Sequence, residues 1–126
     1  MQQGTYYIGD LCYVINDENW KEVCALMFPD SQEPYKRTEG EMQLKDGRKF
    51  AIFGTAFGDG FYDHEIGVDS GTIGCIKVED VDDPEGLKSG FLTKMNEFTP
   101  YSKEGNMHFG EVNIDTTKLL IGVADA

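Results

Sequence analysis

The chain has 126 residues, which suits one domain, 1–126, with a single ordinary core that needs no metal or disulfide staple. Hydrophobic residues make up 40% and charged residues 27%, the balance of a folded globular protein. The formal net charge of −12 speaks against direct binding to nucleic acid or to an anionic membrane, because phosphate ligands need a positive footprint.

Fifteen glycines spread along the sequence favour short strands and tight turns over long helices. "TYYIGDLCYVI" (5–15) is aromatic and β-branched and predicts strand, with Gly9-Asp10 as a bulge or a short turn. "NDENWKEVCALMF" (16–28) predicts a helix. Asn16 or Asp17 caps it, acids fill its first turn, and Pro29 ends it. Trp20, Val23, Cys24, Met27 and Phe28 then share one apolar face, whose period fits core packing better than a ligand box. "SQEPYKRTEG" (31–40) predicts a loop carrying the adjacent cations Lys36 and Arg37.

"EMQLKDGRKFAIF" (41–53) predicts a hairpin turning at Asp46-Gly47. "FYDHEIGVDSGTIGCIKV" (61–78) predicts two more strands joined at Asp69-Ser70-Gly71. "EDVDDPEG" (79–86) holds five acids in seven residues. It reads as a helix entry, with Asp83 as cap and Pro84 at the first helical position. It lacks the D-x-D-x-D-G spacing of a calcium loop. Leu87, Phe91, Met95 and Phe98 then predict a second helix, weakened at Gly90. "MHFGEVNIDTTKLLIGVADA" predicts two strands around "DTTK". The expected fold is α+β: an antiparallel β-sheet of about six to eight strands, a sandwich or a partly open barrel, with one or two packed helices.

Cys12, Cys24 and Cys75 form no CxxC, and with His64 or His108 they show no zinc-site spacing. The opening "MQQGTYYIGD" has neither the basic start nor the apolar run of a secretion signal, and no window predicts a membrane span. The cytoplasm is the expected compartment, with the thiols acting as small apolar groups.

The segment "FGTAFGDGFYDHEIGVDSGTIGCI" (53–76) holds six glycines, three aspartates and a histidine. It carries no phosphate-loop, dinucleotide-binding or nucleophile-elbow motif. The candidate ligand-binding set is Asp10, Asp59, Tyr62, Asp63, His64, Asp69 and Ser70. If adjacent strands bring them together, Asp59, Asp63 and Asp69 have the chemistry to hold a divalent metal. The set also offers a general acid and base. The competing expectation is that each aspartate caps its own turn by accepting from nearby backbone N–H groups, and this is the stronger of the two. No cofactor is expected on the turn reading, and a divalent metal is the possible cofactor on the other.

"YYIGDLCYVINDENW", "GTAFGDGFYD" and "VDSGTIGCI" together resemble a small protein family encoded widely in bacteriophage genomes, with motifs GDPCYV…W, YGDGxY and VDxGxIG. The resemblance covers about residues 6 to 76. Leu11 stands where the family has proline. The resemblance implies a phage origin, and hence the host cytoplasm, but no chemistry, since the family has no assigned activity. Small acidic phage proteins are often non-enzymatic effectors, so the first expectation is an effector or inhibitor that binds a basic surface on a host or anti-phage defence protein. The second is a binder of a small ligand such as a nucleotide signal, with Lys36, Arg37, Lys45, Arg48 and Lys49 supplying charge. The third is a divalent-metal-dependent hydrolase built on Asp59, Asp63, His64 and Asp69. Homo-oligomerisation is left open, as is a place in the virion.

Overall fold

The computed structural model describes residues 1–29, 32, 38–54, 59–62, 66–97, 101–102, 112–113 and 120–121. Its strands are β1 (Gly4–Gly9), β2 (Gly40–Gln43), β3 (Lys49–Gly54), β4 (Gly60–Tyr62), β5 (Ile66–Val68), β6 (Thr72–Lys77), β7 (Phe91–Met95), β8 (Tyr101–Ser102), β9 (Val112–Asn113) and β10 (Leu120–Ile121). One α-helix, α1 (Asp17–Met27), and 3-10 turns at Leu11–Tyr13, Val78–Asp80 and Pro84–Ser89 complete the described elements. The fold is α+β. Its main sheet is open and antiparallel throughout, in the order β2-β3-β6-β1-β7. The hairpin β4-β5 and the triplet β10-β9-β8 form separate sheets.

The main sheet is buried on both faces, and the period-2 alternation of its strands sorts the core into two clusters. Tyr6, Ile8, Ala51, Phe53, Ile73 and Cys75 point one way and pack with Met95 and with Ile66 and Val68 of β5. Tyr7, Phe50, Ile52 and Ile76 point the other way and pack with Leu11, Val14, Ile15 and Leu44, and with Val23 and Met27 of α1. Runs such as "FAIF" and "TIGCI" are continuously apolar because both of their faces are covered.

The helix over 16–28 forms as the sequence predicts. The Asn16 side chain accepts the Asn19 N–H at 2.8 Å, and the helix stops at Phe28 ahead of Pro29. Its Trp and Met stripe is a core face, with Val23 and Met27 buried and Trp20 and Cys24 packed beside them. The β2-β3 hairpin also forms. Gly47 takes φ 101°, which the turn requires and glycine alone adopts freely. Only Gln32 and residues 38–40 of the predicted 31–40 loop are described, with Gly40 opening β2, so Lys36 and Arg37 lie outside the described residues. The tail pairs as β9 and β10, and the "DTTK" turn between them lies outside the described residues.

Three expectations are corrected. The strand predicted over 5–15 ends at Gly9, because Asp10 caps a 3-10 turn that folds Leu11 back under the sheet. Residues 61–78 give three strands, not two: β4 and β5 pair as a hairpin, and 69–71 lead from that hairpin into β6 of the main sheet. The helix predicted over 87–98 is absent from its described part. Asp83 and Pro84 do start a turn as predicted, but it is a 3-10 turn ending at Ser89. Beyond it, Phe91 to Met95 pair with β1, alternating exposed Leu92 and Lys94 with inward Phe91, Thr93 and Met95. Sheet pairing overrides a spacing that also fits a helix.

Gly9 and Gly74 face each other across β1 and β6 on the α1 side of the sheet. Leu11 packs against Gly74, while the Tyr7 hydroxyl and Gly90 lie over Gly9. A Cβ on Gly74 would collide with the Ala51 carbonyl oxygen and come within 3.1 Å of Leu11 Cδ1. Gly74→Ala is therefore expected to destabilise the fold by about 1–3 kcal/mol, read as a lower urea midpoint at unchanged m-value.

Candidate functional site

Asp10 is fully buried at the end of β1. A carboxylate taken out of water is costly unless hydrogen-bond donors replace the lost solvent. Here four do. Oδ1 accepts the Cys12 N–H at 3.0 Å and the Ser70 hydroxyl at 2.8 Å. Oδ2 accepts the N–H groups of Asp69 and Ser70, each at 2.8 Å. Ser70 spends its one hydroxyl hydrogen on Asp10, so in its 2.6 Å contact with Thr72 the Thr72 hydroxyl is the donor. The Asp10 carbonyl is held as well, accepting from the Tyr7 hydroxyl at 3.1 Å. The Tyr7 oxygen also lies 2.6 Å from Ser89 Oγ, and the Ser89 hydroxyl donates to the Gly86 carbonyl.

Around this anchor lies a small acidic rim. Tyr13 donates its hydroxyl to Asp69 Oδ2 at 2.8 Å. That bond to a carboxylate, before burial, pushes the Tyr13 phenol up to about 12. Burial comes first for Cys12, followed by Asp10, Asp69 and Asp59, and together they push its thiol up; Cys12 is thus held as an unreactive thiol. Burial does the same for Cys24, and raises Cys75 to about 12.

The structure therefore brings Asp10, Asp69 and Ser70 into direct contact and sets exposed Asp59 close enough to act on Cys12. Tyr62 ends β4, its backbone paired with Ile66. Asp63 and His64 lie outside the described residues, as does His108. Among the described residues no three His, Cys, Asp or Glu side chains form a metal-holding group. The Asp10 oxygens are occupied by protein donors, so Asp10 acts as a staple between distant segments. Cys12, Tyr13 and Thr72 belong to this network and were not singled out from sequence. The signal for Cys12 was an aspartate two residues ahead of it after a strand, the pattern of a capped turn.

A second feature gathers acids that are far apart in sequence. Asp82 Oδ2 accepts the Asn16 N–H at 3.1 Å and Asn19 Nδ2 at 2.9 Å, at the start of α1. The N–H groups of Asp82 and Asp83 both bond the Val14 carbonyl, at 2.8 and 3.0 Å. Asp82 Oδ1 takes Arg48 at 2.8 Å, and the same guanidinium pairs with Asp46 at 2.8 Å. Burial raises the Asp82 carboxyl, but Asn19, Asn16 and Arg48 outweigh it and hold it below the usual range. These bonds tie the first turn of α1, which carries exposed Asp17 and Glu18, to the segment that carries exposed Asp83 and Glu85. Arg48 is the cation held within this group, and its charge is already shared between two carboxylates.

No helix among the described residues is long and apolar enough to cross a membrane. Comparison with family models, curated proteins and solved structures gives no match. The site is accordingly read from its own geometry.

Asp10→Ala removes the acceptor for four donors and is expected to cost about 3–5 kcal/mol, or to prevent folding. Asp69→Asn, at an exposed position, should cost less than about 1 kcal/mol. Chemical denaturation of the two variants separates staple from rim. Tyr6, Tyr7 and Tyr13 all stand at about 12, with burial the first cause for Tyr6 and Tyr7. Unfolded tyrosines titrate near about 10. The raised values stabilise the fold fully below about 10, and this stabilisation is lost as pH rises toward 12. Stability is expected to fall across that window, in step with tyrosinate absorbance.

Proposed function

We propose that this chain is a non-enzymatic acidic binding protein, encoded by a bacteriophage, that meets a basic surface on a host or anti-phage defence protein. One observation carries the reading: Asp82 joins the first turn of α1 to the 79–85 segment, so two acid runs remote in sequence form one face. Exposed carboxylates on such a face steer a cationic partner into encounter, and the net charge of −12 extends the field. The arrangement of Asp10 agrees with this reading. Its oxygens are engaged by four protein donors, which suits a structural carboxylate better than a proton-transfer group.

The test is affinity capture from a bacterial lysate by the immobilised protein, compared with a Glu18→Lys/Glu85→Lys variant. Both positions are exposed. A basic protein retained at about 0.05 M salt, released by about 0.5 M and not held by the variant is the expected result, because screening cuts exposed charge interactions. Retention that ignores both salt and charge reversal would show that another surface does the binding.

A further inference from the structure

Two lysines stand side by side on the sheet face away from α1. Phe50 and Ile76 are the last pair of the β3-β6 ladder, and Lys49 and Lys77 follow them on the two strands and line one pocket. Lys77 in turn pairs with Tyr6 of β1. Like charges held close on neighbouring strands repel. Beside this pair lies a pocket of about 170 Å³, lined by Gln2, Tyr6, Gly47, Lys49, Lys77 and Asp80. That is several times the ~30 Å³ that a water occupies in the liquid.

The pocket is held in shape. The Tyr6 hydroxyl donates to the Gln2 carbonyl at 2.6 Å. The Lys77 stem lies along Gly4, where a Cβ would come within 3.2 Å of its Cε. Its ammonium sits 3.4 Å from Gln2 Oε1 and 3.9 Å from Glu79, a loose pairing at an exposed carboxylate. Lys49 has no ion-pair partner among the described residues. Asp80 is the acid on the pocket wall. Burial and then Glu79 push its carboxyl up, while Lys77 and Arg48 pull it down.

We propose that this pocket binds a small phosphate-type oxyanion, bridged between the ammonium groups of Lys49 and Lys77. The bridging anion relieves the like-charge repulsion between the two lysines, and Asp80 opposes it. The two groups therefore carry opposite signs in a binding assay. This inference does not rest on the acidic-face reading, although Glu79 and Asp80 belong to the 79–85 segment that reading uses.

The experiment is an NMR titration of the full chain with inorganic phosphate at constant ionic strength, chloride being exchanged for phosphate. Saturable shifts at the backbone amides of Gln2, Tyr6, Gly47, Lys49, Lys77 and Asp80 are expected. Lys49→Met should weaken binding about tenfold, the worth of one charge-assisted hydrogen bond. Asp80→Asn should tighten it. A well-dispersed spectrum for each variant confirms that the fold survives. A parallel titration with a phosphomonoester identifies the natural form: tighter binding of the ester points to a phosphorylated metabolite, tighter binding of phosphate to the free ion. Shifts that do not saturate, an affinity indifferent to Lys49→Met, or weaker binding by Asp80→Asn would overturn the proposal.

Discussion

Everything in this fold is arranged around one carboxylate that has been taken out of water. Asp10 sits where β1 ends, and its two oxygens draw donors from its own following turn and from residues 69 and 70, sixty positions further on. The Cys12 bond starts the 3-10 turn that sets Leu11 against Gly74 on the α1 side. The three bonds from Asp69 and Ser70 fix the turn leaving β5, and so place the β4-β5 hairpin over the opposite face. Both covers of the sheet therefore depend on the same buried charge. Desolvation penalises such a group heavily, which is why all four donors must be present together.

How much of this was legible varies with the range of the forces involved. Where local chemistry decides, the sequence reads directly: Asn16 caps α1, Asp46-Gly47 turns the first hairpin, and Asp83-Pro84 opens a turn. Where a partner strand decides, it does not. Phe91 to Met95 fit either a helical or a strand period, and only the neighbouring β1 selects the strand. The same holds for Leu11 to Tyr13, whose β-rich composition is overruled by the bonds around Asp10. In the candidate site, capping of their own turns is the expectation for Asp59 and Asp69; Asp10 is the one seen to cap its own turn, at Cys12. Its reach to residue 70 had no trace in the spacing. The lysine pair had none either, since Lys49 and Lys77 reach one pocket only because β3 pairs with β6.

Charge is distributed with the same economy. Arg48 is shared between Asp46 and Asp82 and is largely withdrawn from solvent, so it cements the acidic face without neutralising it. Two of the remaining lysines, Lys49 and Lys77, line a small pocket beside Asp80, at the border of the acidic 79–85 segment.

The place of β1 in the sheet bears on how the chain is made. It precedes every other described strand in the chain, yet it lies between β6 and β7, both of which are made long after it. β2 and β3 can pair as soon as they emerge. β1 must wait until residue 77 is available, on the order of ten seconds at about 5–20 residues per second. Throughout that delay both of its edges and the apolar run Tyr6-Tyr7-Ile8 are open, the kind of segment that other chains and chaperones engage. Closure of the sheet around β1 is a long-range event, the class of pairing that slows folding.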